Sequence, residues 1–133
     1  MTPSKAAVIR SDLDIVIART LARDTAKSIG FGAIDQARIA TAVSELARNI
    51  FLYAGTGSVT VREIEKLGRR GIEIVCEDQG PGIADLSLAM QDGYTTSRGM
   101  GMGLPGAKRL MDEFTINTEV GVGTMIVCRK WRS

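Results

Sequence analysis

Along this chain the spacing of apolar residues alternates between a helical and a strand period. Between Ser11 and Gly30, Leu13, Val16, Ile17, Leu21 and Ala22 recur three or four apart, which predicts an amphipathic helix from Leu13 to Ile29. Ser11, Asp12 and Asp14 give it a start, because short oxygen-bearing side chains accept the first free amides; Gly30 gives it a stop. Ahead of it, Ala6 to Arg10 is a short apolar run that reads as an edge strand. A second helical pattern runs from about Ile34 to Tyr53, with Ile39, Val43, Leu46, Ile50 and Tyr53 on one stripe facing a sheet. The period then changes. Val59 to Glu65 and Ile72 to Glu77 read as two strands joined by a turn around Gly68, Arg69, Arg70 and Gly71. Asp78 to Gly103 is glycine-rich and aperiodic, so it reads mostly as loop, with a short helical turn near Leu86 to Met90. Leu104 to Met111 predicts a third helix with Pro105 in its first turn, where no amide is needed. Phe114 to Glu119 and Thr124 to Trp131 close the pattern as a hairpin around Gly121 and Gly123. These elements make an α/β fold, a two-layer sandwich of helices on a mixed, largely antiparallel sheet.

Length and composition narrow the field. The 133 residues fit one domain, 1–133, and 44% apolar with 24% charged residues is ordinary globular composition. A formal charge of +2, carried by scattered Lys and Arg, argues for no nucleic acid and no membrane among the partners. No apolar run approaches the roughly 20 residues of a membrane span, and no signal-peptide core follows Met1 to Lys5. The expected location is cytoplasmic. Cys76 and Cys128 lack Cys-x-x-Cys spacing and read as buried, reduced thiols on strands. Histidine is absent, which excludes an imidazole base, a Ser-His or Cys-His pair, His-ligated zinc and a phosphohistidine within this chain. Proton transfer is left to a carboxylate, a lysine, a tyrosine or water.

Three segments carry the candidate chemistry. On the second helix Glu45 and Asn49 lie four apart at one edge of the apolar stripe, so both can point into a cleft beside the core. The Asn49 carbonyl suits Mg²⁺, a hard ion that takes oxygen ligands and keeps several waters; Glu45 can accept the proton of a hydroxyl or water approaching a γ-phosphate. A solvated helix edge explains the same pair alone. Next, Glu77-Asp78 ends a strand and leads into Gln79-Gly80-Pro81-Gly82. The Asp78 carboxylate can accept from the exocyclic amine of adenine, and Gly80 and Gly82 let the backbone approach a flat base. An ordinary turn also uses these residues. Last, Gly99, Gly101 and Gly103 alternate just before the helix opening at Leu104. Free amides there, with the positive end of the helix dipole, form a phosphate site, and a glycine-rich lid can close over a nucleotide. Arg98, Lys108 and Arg109 are near enough in sequence to supply countercharge. No Gly-Lys-Ser/Thr follows, so this is not a Walker A loop, and no strand runs into it as a Rossmann site requires. Thr124, after Gly123, can support the Asp78–adenine contact through water.

Taken in this order, the segments resemble the GHKL ATPase superfamily of the Bergerat fold, which includes gyrase, Hsp90, MutL and histidine-kinase catalytic domains. Glu45 and Asn49 match its N-box, Asp78, Gly80 and Gly82 its first glycine box, Gly99, Gly101 and Gly103 its second, and Gly123-Thr124 its last. Ser44 to Asn49, Tyr53-Ala54-Gly55 and Gly103 to Phe114 are further similar to the anti-sigma-factor kinase branch, in particular the small serine/threonine kinases of the bacterial stressosome. The resemblance implies ATP and Mg²⁺ as cofactors and STAS-domain stressosome scaffold proteins as substrates. It also implies release after phosphorylation to activate a PP2C-type phosphatase or other downstream regulator.

Three readings compete on these residues. The first is a protein serine/threonine kinase with Glu45 as catalytic residue, Asn49 as metal ligand, and Asp78, Gly80, Gly82, Arg98, Gly99, Gly101, Gly103, Leu104 and Thr124 around the nucleotide. The second is a non-catalytic, nucleotide-gated binding switch of the anti-sigma-factor kind. The ATP-binding half of a histidine kinase ranks last.

Overall fold

Five strands form one antiparallel sheet in a computed structural model of the chain, in the order β1-β2-β3-β5-β4. They are β1 (Ser4–Ile9), β2 (Gly57–Lys66), β3 (Arg69–Asp78), β4 (Glu113–Glu119) and β5 (Gly123–Trp131). Helices α1 (Asp12–Ile29), α2 (Ala33–Asn49) and α3 (Gly103–Leu110) pack on the sheet. The structure describes residues 4–84, 90 and 103–132. The expected helical turn near Leu86 to Met90 lies outside them except for Met90. The two-layer α/β sandwich of the sequence reading is the observed fold, and all its strand pairs are antiparallel.

Strand alternation decides which side chains meet the helices. Ile9, Val59, Val61, Ile72, Ile74, Cys76, Ile126 and Cys128 are buried beneath them, so both cysteines are free core thiols as expected. Burial pushes the Cys128 thiol up to about 12 and the Cys76 thiol well above its ordinary value, because a thiolate there would lose its hydration.

The buried stripe of α1 differs from the one expected. Ser11 caps the helix by accepting from the Asp14 amide, and left-handed Gly30 ends it, as the start and stop residues imply. Ala22 is buried and Leu21 packs partly buried against the core as expected, but the rest of the packed face is Ile15, Ala18, Ala26 and Ile29. Leu13, Val16 and Ile17 are 66%, 52% and 48% exposed. This helix carries two apolar faces, and the one rich in alanine faces the core, because small side chains permit close approach to α2 and the sheet.

The second helix also departs from its expected course. It is α-helical only to Asn49; Ile50 to Ala54 form a π turn closed by the Gly55 amide donating to the Ile50 carbonyl at 2.9 Å. The wider turn rotates later residues off the stripe. Ile39, Val43, Leu46 and Ile50 are buried as expected, whereas Tyr53 is 46% exposed. The β2–β3 connection is tighter than expected, with Leu67 at φ 54° and Gly68 at φ 79°. Two positive φ values match the right-handed twist of the strands, so both strands run to the turn.

The face of the sheet opposite the helices carries one row of alternating charge, Arg62, Glu73, Arg129 and Glu113, in register across β2, β3, β5 and β4. Glu73 is only 4% exposed, with its two carboxylate oxygens bonded by Arg62 Nε at 2.6 Å and Arg129 Nε at 2.8 Å. Burial pushes the Glu73 carboxyl up, but the two arginine hydrogen bonds and charges outweigh it and hold it below the usual carboxylate value.

Candidate functional site

The end of α2, the start of α3, the end of β3 and the β4–β5 hairpin meet at one end of the molecule, and they do so through specific contacts. Glu45 is buried to 8% exposure on α2, and its Oε2 accepts from the Gly103 amide at 3.3 Å. Gly103 opens α3, so the carboxylate satisfies one of the unpaired donors at that helix start. Asn49 is half-buried one turn further along α2. Its side chain makes no hydrogen bond among the described residues, which leaves its carbonyl uncommitted. That fits a Mg²⁺ ion held mainly by phosphates and water, with one protein oxygen. Between them Arg48 Nε is buried without a hydrogen-bond partner among the described residues, an uncompensated donor at the same helix edge.

Asp78, the last residue of β3, lies opposite Thr124 in the β3–β5 register, and Thr124 lies opposite Thr118 in the β4–β5 register. One row across three strands therefore carries a carboxylate and two hydroxyls. Asp78 Oδ1 accepts from the Gly80 amide at 2.9 Å, which curls the chain back over the strand end. Thr118 Oγ1 accepts from the Ile83 amide at 2.8 Å and sits 2.9 Å from Thr124 Oγ1. The Gly121 amide donates to the Pro81 carbonyl at 2.9 Å, so the hairpin tip and the segment after Asp78 are fastened twice. Ala54, at the end of the π turn, packs on Gly80. The observed change of helix type thus closes one side of the loop at Gly80.

Two glycines are dictated by this closeness. Gly82 has φ +76°, and a Cβ there would lie 2.4 Å from the Glu119 carbonyl oxygen. Gly123 has φ +145°, and its Cβ would lie 2.1 Å from the Asp78 carbonyl oxygen. Both let β4–β5 pass directly over the loop.

The geometry brings together Glu45, Asn49, Gly103 and Leu104 at one edge, and Asp78, Gly80, Gly82 and Thr124 at the other. Arg98, Gly99 and Gly101 lie outside the described residues. Lys108 and Arg109 are exposed in the last turn of α3, at the negative end of its dipole, not at the start where a phosphate would bind. Thr118 escaped the sequence reading because nothing local marks a Thr on a short strand; its alignment with Thr124 across the hairpin was the available signal.

This arrangement is that of a family. The histidine kinase-like ATPase domain description matches residues 10–130. Serine/threonine-protein kinase RsbT of Bacillus subtilis (strain 168) is 55% identical over 123 residues, covering 92% of each chain. An anti-sigma F factor of Caldanaerobacter subterraneus subsp. tengcongensis is 34% identical over 101 residues, 71% of this chain and 69% of its own. The crystal structure of the RsbU and RsbW domains of Rv1364c from Mycobacterium tuberculosis shares the fold, with a TM-score of 0.64 at 20% identity, over 99% of this chain and 34% of that one. The chain belongs to the histidine kinase-like ATPase family and, within it, to the RsbT-like protein serine/threonine kinases. Membership implies the use of ATP.

Proposed function

We propose that residues 1–133 act as one Mg²⁺·ATP-dependent kinase domain in the cytoplasm, phosphorylating a serine or threonine of STAS-domain stressosome scaffold proteins. Once its substrates are phosphorylated, the kinase is released to bind and activate a PP2C-type phosphatase or another downstream regulator in a partner-switching stress response. What carries the reading is the contact between the Glu45 carboxylate and the Gly103 amide, since it joins a proton acceptor to the helix start suited to phosphates. Asp78 and Thr124, opposite one another on β3 and β5, would form the floor that receives adenine.

In this reading Asn49 would supply the protein oxygen that holds Mg²⁺, and the ion would supply charge to neutralise the phosphates. The Leu104 amide, next to Gly103 at the helix start, holds the terminal phosphate, joined by Arg98, Gly99 and Gly101 on the sequence assignment. The substrate oxygen bonds to the γ-phosphorus as the bond to the β–γ bridging oxygen breaks. The hydroxyl proton passes to Glu45, and ADP leaves.

A binding-switch reading draws support from the likeness to anti-sigma F factors and from the uncovered stripe of Leu13, Val16 and Ile17 on α1. The discriminating experiment offers γ-labelled ATP, Mg²⁺ and a STAS-domain protein to the wild type and to Asn49→Ala. Label on a serine or threonine of the STAS protein, lost in the variant, supports the kinase reading. ATP binding without transfer to any STAS partner overturns it in favour of the switch.

A further inference from the structure

A buried lysine lies beneath the far end of α3. Lys130 is on the core face of β5, two residues after buried Cys128, and is only 8% exposed. Lysine seldom sits so deep without a partner, because its ammonium loses hydration there. Its Nζ donates to the Leu110 carbonyl at 3.1 Å and lies 3.7 Å from Asp112 Oδ1. Leu110 is the last residue of α3, so the ammonium satisfies an open carbonyl and meets the negative end of the helix dipole. Asp112 is itself tied to β5: its amide donates to the Arg129 carbonyl at 2.9 Å, and its Oδ2 accepts from the Trp131 amide at 2.8 Å. The finish of α3 is thus fixed to the sheet. Along its length α3 packs against α2, and its buried residues are Leu104, Pro105, Gly106 and Ala107. Such contact is non-directional, and small side chains give little to stop the helix tilting. Directional contacts hold its two ends instead, Gly103 to Glu45 at the start and Lys130 to Leu110 at the finish.

We propose that Lys130 is a positioning residue for phosphate transfer: by pinning the last carbonyl of α3 to β5, it holds the start of that helix, with its Leu104 amide, in place against Glu45. The ammonium acts only through the helix, from the end away from the reacting groups. Eight residues make a helix about 12 Å long, so a tilt of about 5° displaces one end by about 1 Å. A displacement of that size at reacting groups can cost about 10²-fold in rate. Stability alone does not account for the lysine, since an apolar side chain of similar length would avoid the desolvation of a buried charge. This inference rests on the assignment of Glu45 and the start of α3 to phosphate transfer.

The test compares the full chain with Lys130→Met and Lys130→Arg in three measurements. These are single-turnover transfer from γ-labelled Mg²⁺·ATP to a STAS-domain protein, calorimetric affinities for ATP and ADP, and the melting temperature. Lys130→Met keeps most of the apolar stem and removes the charge. It is expected to slow transfer about 10–100-fold and to weaken ATP about two- to tenfold relative to ADP, the worth of one hydrogen bond to the terminal phosphate. ADP affinity should stay within about twofold of wild type, because the base edge is untouched. Lys130→Arg retains a charged donor and should recover most of the rate. A lowered melting temperature in Lys130→Met with an unchanged transfer rate and ATP/ADP ratio would make Lys130 a stability element and overturn the proposal. Equal losses of ATP and ADP affinity would also overturn it, by showing general disruption of the fold. Should Lys130→Met not fold, Lys130→Gln, uncharged and one atom shorter, takes its place, and a full transfer rate there sinks the idea. If the wild type moves no label to the STAS protein, the kinase reading itself fails, and the inference with it.

Discussion

The two edges of the candidate site are built differently. At the edge proposed for the base, Asp78, Thr124 and Thr118 sit on neighbouring strands, and the segment around them is fastened by amide donors from Gly80, Ile83 and Gly121. At the edge proposed for the phosphates, a 3.3 Å hydrogen bond from Gly103 to Glu45 links α3 to α2, and Asn49 makes no hydrogen bond among the described residues. On the proposed function, the groups assigned to a constant base are held in advance by the sheet, and those assigned to the transferred phosphate keep unused bonding capacity that a metal ion and a reacting hydroxyl would take up.

Substitutions should separate the two edges. The largest effect belongs to Glu45→Ala, expected to slow phosphotransfer by about 10²–10⁴-fold as a lost general base, while ADP affinity changes by no more than about threefold. Parallel single-turnover and calorimetric measurements check this; equal losses in both would place Glu45 in binding instead. Asp78→Ala should do the reverse at first contact, weakening ATP by about 10–100-fold, the range for a hydrogen bond to a charged group. Retained affinity in a calorimetric titration would remove Asp78 from the base site.

Gly82→Ala attacks the rigidity of the base edge itself. The positive φ and the Glu119 carbonyl in its path should cost about 1–3 kcal/mol of stability, read by urea unfolding. An unchanged midpoint would mean the hairpin yields easily, and the contrast between edges would weaken.

The charged row on the far face predicts a smaller, pH-dependent effect. Because the folded Glu73 carboxyl is held below its ordinary 4.5, its ion pairs stabilise the fold above that value, and the contribution is lost as pH falls through the depressed folded value. Glu73→Gln should therefore lower the melting temperature at pH 7 and flatten its decline in acid. A parallel decline in both proteins would show that other carboxylates carry it. Smallest of all, Cys76 and Cys128 should not react with a disulfide reagent at pH 8 until the chain unfolds. Rapid labelling of the native protein would show that the sheet beneath the helices opens readily.

The sequence by itself determined the order of elements, the start and stop of α1, and the placement of Glu45 and Asn49 on one helix edge and Asp78 at a strand end. These are short-range facts, set by residue spacing and by which side chains can satisfy a helix end or a turn. The tertiary structure decided which apolar face of α1 is buried, where α2 widens into a π turn, and which strands lie side by side. Alanine becomes a core residue only when a neighbour comes close enough to need it, as at Ala18 and Ala26. Thr118 meets Thr124 only because the hairpin register puts them opposite one another, and Asp78 joins them only because β5 lies between β3 and β4. Backbone periodicity is written locally; the pairing of distant strands depends on burial and hydrogen bonding across the whole sheet.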